Sequence, residues 1–411
     1  MRPHLFCSAI NVITYFSTRR KTEMKLKPIL FWTHLSAGVL AGIFILALSI
    51  TGVILTYEHQ IIGAFAKSET VNPPKDGVLR TLDELAEVAR ERSKGAMVVM
   101  LNLENRENTP VVVHPVGGKD LPEFMLNPYT GEDFWAPSAD VKSFFEMIVG
   151  WHRWLAFEGS SRGMGRQITG AANLVFMFLV LTGIYLWLPR VWKWSALQAK
   201  IIFIKNPPPG KARDFNWHHV FSFWALIPLF VVVGTAIVIS YPWANAALYR
   251  AFGSEPPKQG GPALFGELRK DAEISVSASE ISKMAPLQEA LEAVKKHNPD
   301  WVKMIVFVHP KQDVPMVRLI ANNSHAVLPE NMETVVYDRR EKKITHVRKY
   351  DDMSAAEKAR MWVRFSHTGE QYGVIGSTLA GLSTLATIFL VYTGLALAYR
   401  RLVAHLQKKK K

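Results

Sequence analysis

"FWTHLSAGVLAGIFILALSITG", residues Phe31 to Gly52, decides the fold. The stretch contains no Asp, Glu, Lys or Arg, and roughly 20 apolar residues suffice to cross a bilayer as a helix. Yet it holds an imidazole, His34, a few residues inside its start, where water is scarce. The charge-free run extends from Ile29 to Tyr57, and three more of spanning length follow: Gln167 to Pro189, Phe215 to Tyr249 and Gln371 to Tyr399. The first is too long and too late for a cleaved signal peptide, and no small-residue cleavage site follows it. The expectation is an α-helical polytopic membrane protein with a four-helix transmembrane bundle.

The 411 residues carry a net charge of +14, and the placement of that charge matters more than its size. Arg19, Arg20, Lys21, Lys25 and Lys27 precede the first run. Arg190, Lys193, Lys200, Lys205, Lys211 and Arg213 lie between the second and third, and Arg400, Arg401 and Lys408 to Lys411 follow the fourth. By the positive-inside rule these segments are cytoplasmic. The expected order is a cytoplasmic segment 1–28, span 29–57, exported segment 58–166, span 167–189, cytoplasmic loop 190–214, span 215–243, exported segment 244–370, span 371–399 and basic tail 400–411. Topology explains the charge, so lipid is an expected partner and nucleic acid is not. Met24, followed by Lys25-Leu26-Lys27, reads as an alternative start. Cys7 is the only cysteine, which leaves no exported disulfide, thiolate metal cluster or Cys-x-x-Cys-His haem attachment.

Each exported segment reads as a small α+β module. "LRTLDELAEVARERS" has helical periodicity with a Thr-x-x-Glu start, and "AMVVMLNLE", "TPVVVHPV" and "EFMLNPYTGEDFW" read as strands. The second segment offers "APLQEALEAVKKHNPD" as a helix, then strands in "VKMIVFVHP", "VPMVRLIAN" and "ETVVYDRREKKITHVRKY". Asn127-Pro128-Tyr129-Thr130-Gly131-Glu132 and Tyr337-Asp338-Arg339-Arg340-Glu341 take equivalent turn positions, which argues for duplication.

The spans repeat too. His34 precedes Thr51-Gly52 by 17 positions, and His218 precedes Thr235 by the same 17. Thr182-Gly183 and Thr393-Gly394 stand near the far ends of the second and fourth spans. Of the 13 histidines, those in soluble or terminal segments are read as solvated or turn residues. His34, His152, His218 and His367 sit at span boundaries. Topology pairs His34 with His218 near the cytoplasmic side and His152 with His367 on the outer side, with His219 and His59 as alternative members. A lone membrane histidine is more often an interhelical hydrogen bonder than a ligand, but two pairs at two depths match axial ligation of two non-covalent b-type haems. Two histidines per depth, without Asp, Glu or Cys, make a poor zinc site. Arg153, Arg166 and Arg364 lie near the outer pair; holding haem propionates and snorkelling to lipid phosphates are equally good readings. "GSSRGMGRQITG" follows no strand, which argues against a nucleotide loop.

The His34 span, "HRWL", "RQITGAANLVFMFLVLTGIYLWLPR", "NWHHVFSFWALIPLF" and "HTGEQYG" together resemble the PepSY-associated transmembrane helix proteins over almost the whole chain. The outer modules resemble PepSY domains, including the "NPYTGE" hairpin, so the expected architecture adds two small PepSY-like periplasmic domains to the bundle. The nearest characterised type is the dihaem ferrisiderophore reductase of the Gram-negative inner membrane. The resemblance implies an oxidoreductase that reduces ferric siderophore iron to ferrous iron in the periplasm, with His34, His152, His218 and His367 as haem iron axial ligands. "HHVFS" departs from the His-Arg-Gly-like pattern of many members and leaves His218 and His219 both open. No NAD or flavin fingerprint is present, so the donor is expected to be a quinol or a redox partner. Two other classes stand beside this one: a PepSY regulator or inhibitor of an exported peptidase, and a siderophore-transport accessory whose histidines carry protons.

Overall fold

The structure is a computed structural model that describes residues 5–67, 69–117, 121–189, 191–257, 278–310, 314–325 and 328–409, with backbone alone for 5–25, 278, 279 and 409. Met1 to His4, Arg190, Lys410 and Lys411 thus lie outside the described residues, as does 258–277. In chain order the helices are α1 (Leu5–Leu55), α2 (Glu58–Lys67), α3 (Leu82–Arg92), α4 (Pro137–Trp154), α5 (Arg162–Trp187), α6 (Trp194–Ile201), α7 (Lys211–Ser240), α8 (Pro242–Ala251), α9 (Ala278–Ile281), α10 (Leu287–His297), α11 (Ala355–Thr368) and α12 (Gly373–Lys409). The strands are β1 (Val98–Glu104), β2 (Val111–Val116), β3 (Phe124–Leu126), β4 (Lys303–Val308), β5 (Met316–Asn322), β6 (Met332–Asp338) and β7 (Lys343–Lys349). They form two compact units: a helical one of 1–57, 145–244 and 363–411, and a sheet-bearing one of 58–144 and 245–362.

In the helical unit, the four long apolar helices contain the four expected spans. α1 packs on α5 and α12, and α7 packs on the same two, which closes a four-helix ring. Large aliphatic side chains face outward, Leu40 at 78% and Ile227 at 77% exposure, a surface suited to lipid and unsuited to water. Polar groups turn inward, as Asn173 does by donating from Nδ2 to the Val233 carbonyl at 3.1 Å. Element ends differ from the sequence reading. α5 starts at Arg162, α7 stops at Ser240, α12 runs through the basic tail, and α1 passes through Pro28 without a break. Lys and Arg are good helix formers, so charge marks the membrane boundary without ending the helix.

In the sheet-bearing unit, every strand pair is antiparallel, in the order β3-β2-β1-β4-β5-β6-β7. β1 pairs with β4 from Val99↔Val308 to Glu104↔Lys303, so segments 58–166 and 244–370 share one seven-stranded sheet. This corrects the expectation of two separate modules. Alone, each segment would leave an apolar edge strand unpaired; pairing the two edges removes that exposure. Alternation places Val99, Leu101, Met304 and Val306 on the face covered by Leu82, Leu85, Leu287 and Leu291 of α3 and α10.

The expected Thr-x-x-Glu start of α3 is a full capping box, Thr81 with Glu84. The two helices also cap each other. Asp83 accepts from the Leu287 and Gln288 amides at 2.8 and 2.9 Å, while Gln288 Oε1 accepts from the Leu82 amide at 2.8 Å. The two turns singled out as equivalent share one geometry. Asn127 Oδ1 accepts from Tyr129 N and Thr130 N at 2.9 and 3.3 Å, and Asp338 Oδ1 from Arg340 N and Glu341 N at 2.8 and 3.3 Å. The strand read in "EFMLNPYTGEDFW" is short, Phe124–Leu126, with a single bridge from Leu126 to Asp133 beyond the turn.

Candidate cofactor site

The four boundary histidines all belong to the helical unit. His34 lies on α1, His218 on α7, and His152 and His367 near the C-termini of α4 and α11. Tight turns hold the last two. After α4, Leu155 and Ala156 take φ of 52° and 58°, a left-handed conformation that side-chain-bearing residues rarely adopt. The turn brings the Trp154 carbonyl against Gly165 of α5, where an added Cβ would overlap it. In the other half Gly369, at φ 81°, places its carbonyl against Gly376 of α12 in the same way. Both approaches involve the backbone carbonyl two positions after the histidine.

Each histidine meets a threonine of another helix. His34 Nδ1 lies 2.8 Å from Thr182 Oγ1, His218 Nδ1 2.9 Å from Thr393 Oγ1, and His152 Nδ1 2.8 Å from Thr51 Oγ1. His367 Nδ1 is shared between the Val232 carbonyl at 3.0 Å and Thr235 Oγ1 at 3.3 Å. The threonines have already used their single protons. Thr51, Thr182, Thr235 and Thr393 donate to the carbonyls of Ala47, Phe178, Val231 and Phe389 four residues back, at 2.6–2.7 Å. A hydroxyl whose proton is committed can only accept. The proton between the rings and the threonines therefore sits on Nδ1, and in the neutral tautomer each Nε2 keeps a free lone pair, the form in which imidazole binds a metal.

One of the pairs expected from topology, His152 with His367, is brought together. The His152 and His367 ring centroids are 6.5 Å apart. His34 and His218 take equivalent places in the two halves: His34 Cε1 lies 3.6 Å from the Cβ position of Gly183 on α5, and His218 Cε1 3.5 Å from that of Gly394 on α12. His218, not His219, matches His34: His219 Nδ1 donates to the Phe215 carbonyl of its own helix at 2.8 Å. His59 lies on α2, in the sheet-bearing unit. Among the described residues no group of three or more His, Cys, Asp or Glu gathers, so the protein offers two nitrogens per depth. That donor set suits a planar macrocycle that supplies four more ligands itself, and the residues present fit a b-type haem at each depth.

The arginines differ among themselves. Arg166 Nη2 donates to the Ser240 carbonyl at the end of α7 at 3.0 Å. Arg153 lies over the Trp154 ring at 4.8 Å and Arg364 over Phe365 at 5.7 Å. Near His367 in sequence, the buried Ser366 and Ser377 hydroxyls have no hydrogen-bond partner among the described residues. The sequence reading noticed the threonines as repeat markers but missed their role. The twice-repeated 17-residue spacing from His to Thr was the available signal.

No curated protein matches this chain. The family described as the PepSY-associated TM region matches residues 31–401, which include all four histidine–threonine pairs and both halves of the sheet. The chain is a multi-pass membrane protein belonging to the PepSY-associated TM region family.

Proposed function

We propose that this protein is an inner-membrane oxidoreductase that binds two b-type haems and passes electrons from a quinol or redox partner to ferric siderophore iron in the periplasm. One observation carries the reading: two histidine pairs at two depths, each ring oriented by a threonine that leaves Nε2 unprotonated. Bound haem supplies a one-electron iron couple at each depth. The chain supplies the rest. His34 with His218 and His152 with His367 would hold the two haem irons, the threonines fix the tautomer of those rings, and Arg153, Arg166 and Arg364 would hold propionates. The apolar ring of helices excludes water. The basic segments support cytoplasmic termini, and with them a sheet-bearing unit in the periplasm, where the acceptor would arrive. Siderophore oxygens are hard ligands that favour Fe(III), so one electron weakens their hold and frees Fe(II).

The test is a visible spectrum and pyridine haemochrome assay on purified protein. Two haems per chain, with a Soret band that shifts on reduction, are expected. One haem or none would overturn the dihaem reading.

A further inference from the structure

Arg153, Arg162, Arg166 and Arg364 form a concentrated positive charge at the His152–His367 end of the helical unit. Arg166 follows Arg162 by about one turn of α5, and Arg364 lies on α11 three residues before His367, whose ring centroid is 6.5 Å from that of His152, the neighbour of Arg153. Arg162 lies over the Trp154 ring at 4.7 Å, as Arg153 does at 4.8 Å, so one indole carries two guanidiniums. All four residues are exposed. Among the described residues no carboxylate forms an ion pair with any of them, although like charges held together repel. The two propionates of one haem would neutralise two of the four, leaving two positive charges unanswered and facing outward. A planar guanidinium presents paired donors to carboxylate or catecholate oxygens.

We infer that this cluster is the docking site for the electron acceptor, and that the acceptor is an anionic ferric chelate bearing catecholate or carboxylate oxygens. The inference rests on the reductase reading for its setting. Arg162 is the residue outside the propionate set, so it reports on the acceptor without disturbing the cofactor. Anionic phospholipid headgroups carry the same chemistry, and the experiment separates the two sources.

The experiment uses the gallium(III) complexes of a tris-catecholate, which is trianionic, and of a neutral tris-hydroxamate. Gallium takes no electron, so binding is read by equilibrium dialysis whether or not electron transfer works, while the haemochrome assay judges the reductase reading separately. The full-length protein is placed in nanodiscs of phosphatidylcholine alone or with phosphatidylglycerol. Saturable binding of the trianionic complex, weakened by added salt and by Arg162→Gln about five-fold, retained in Arg162→Lys, and stronger than that of the neutral complex, is expected. Equal affinity for the two complexes, or indifference to Arg162→Gln, would overturn the inference. So would binding abolished by phosphatidylglycerol, because the cluster would then be a lipid headgroup site.

Discussion

His34 Nδ1 rests 2.8 Å from Thr182 Oγ1, and that oxygen sits 2.7 Å from the Phe178 carbonyl four residues back on its own helix. The chain of bonds has one direction: ring to hydroxyl to carbonyl. Thr182→Val keeps the shape and deletes the acceptor, so the ring loses its fixed tautomer. A lost second partner of this kind typically costs 10–100-fold in metal affinity. Thr182→Val should lower haem occupancy of the His34–His218 pair and shift its midpoint potential, whereas Thr182→Ser should restore both. A titration in which Val and Ser variants behave alike would remove the threonine from the argument.

Pairing by depth makes a sharper claim about the histidines. His34→Ala and His218→Ala should each lose the same one of two haems, and His152→Ala and His367→Ala the other. Redox titrations of the four variants show which component disappears. Equal loss of both components in all four variants would break the pairing.

The turns after α4 and α11 depend on two glycines. Gly165→Ala and Gly376→Ala each drive a methyl into a backbone carbonyl two positions beyond a histidine. A backbone carbonyl cannot rotate away as a side chain can, so the helix must shift. Both variants should perturb the spectrum of the His152–His367 pair while leaving the other pair unchanged. Gly63→Ala, where an added methyl meets open space, is the control.

Acid should loosen the sheet at one named place. Burial pushes the Glu123 carboxyl up, but hydrogen bonds from His114 and Lys142 and their charges outweigh it, holding the group below its ordinary value of 4.5. A carboxyl lowered in the folded state contributes stability above its unfolded value, and that contribution is lost as pH falls through the lowered one. Amide protection factors in β2 and β3, corrected for the intrinsic exchange rate, should therefore fall below about pH 4.5. In Glu123→Gln this acid-dependent part should be absent, with weaker protection already at neutral pH.

Asp83→Ala removes the side chain of α3 that caps α10. Losing such a cap costs about 1 kcal/mol, within a range of 0.5–2. A lowered unfolding midpoint of the sheet-bearing unit is expected. Because Gln288 caps in the opposite direction, the double variant Asp83→Ala with Gln288→Ala should lose more than either single one.

The spans, the Thr81 capping box and the two Asx-type turns were legible because their signals are local: a charge-free run, a Thr-x-x-Glu, an Asn or Asp before a turn. The single sheet was not. β1 and β4 meet across some 200 residues of chain, and an apolar strand's alternation names its buried face without naming its neighbour. The histidine pairs were legible through topology, but the threonines were not. His34 and Thr51 stand 17 residues apart on one helix, roughly 25 Å along its axis, so one helix offers an imidazole at one end and a hydrogen-bond acceptor at the other. Only the packing of α1 against its neighbours shows that each end serves a different ring.

The central strand pairing and the reciprocal caps have a consequence for the protein's origin. Leu82 is capped by Gln288 and Leu287 by Asp83, while β1 and β4 run antiparallel at the middle of the sheet. This is the self-complementary contact of a two-fold homodimer, carried within one polypeptide. Every histidine–threonine bond closes inside one half, yet each histidine pair draws one ring from each. An ancestral half-length chain would have carried oriented rings but no pair until it met a second copy. Fusion made that encounter intramolecular and released the halves to drift apart. The difference is visible where one half has Asn127 and the other Asp338 at the equivalent turn, and where Thr235 is followed by alanine while Thr51, Thr182 and Thr393 precede glycine.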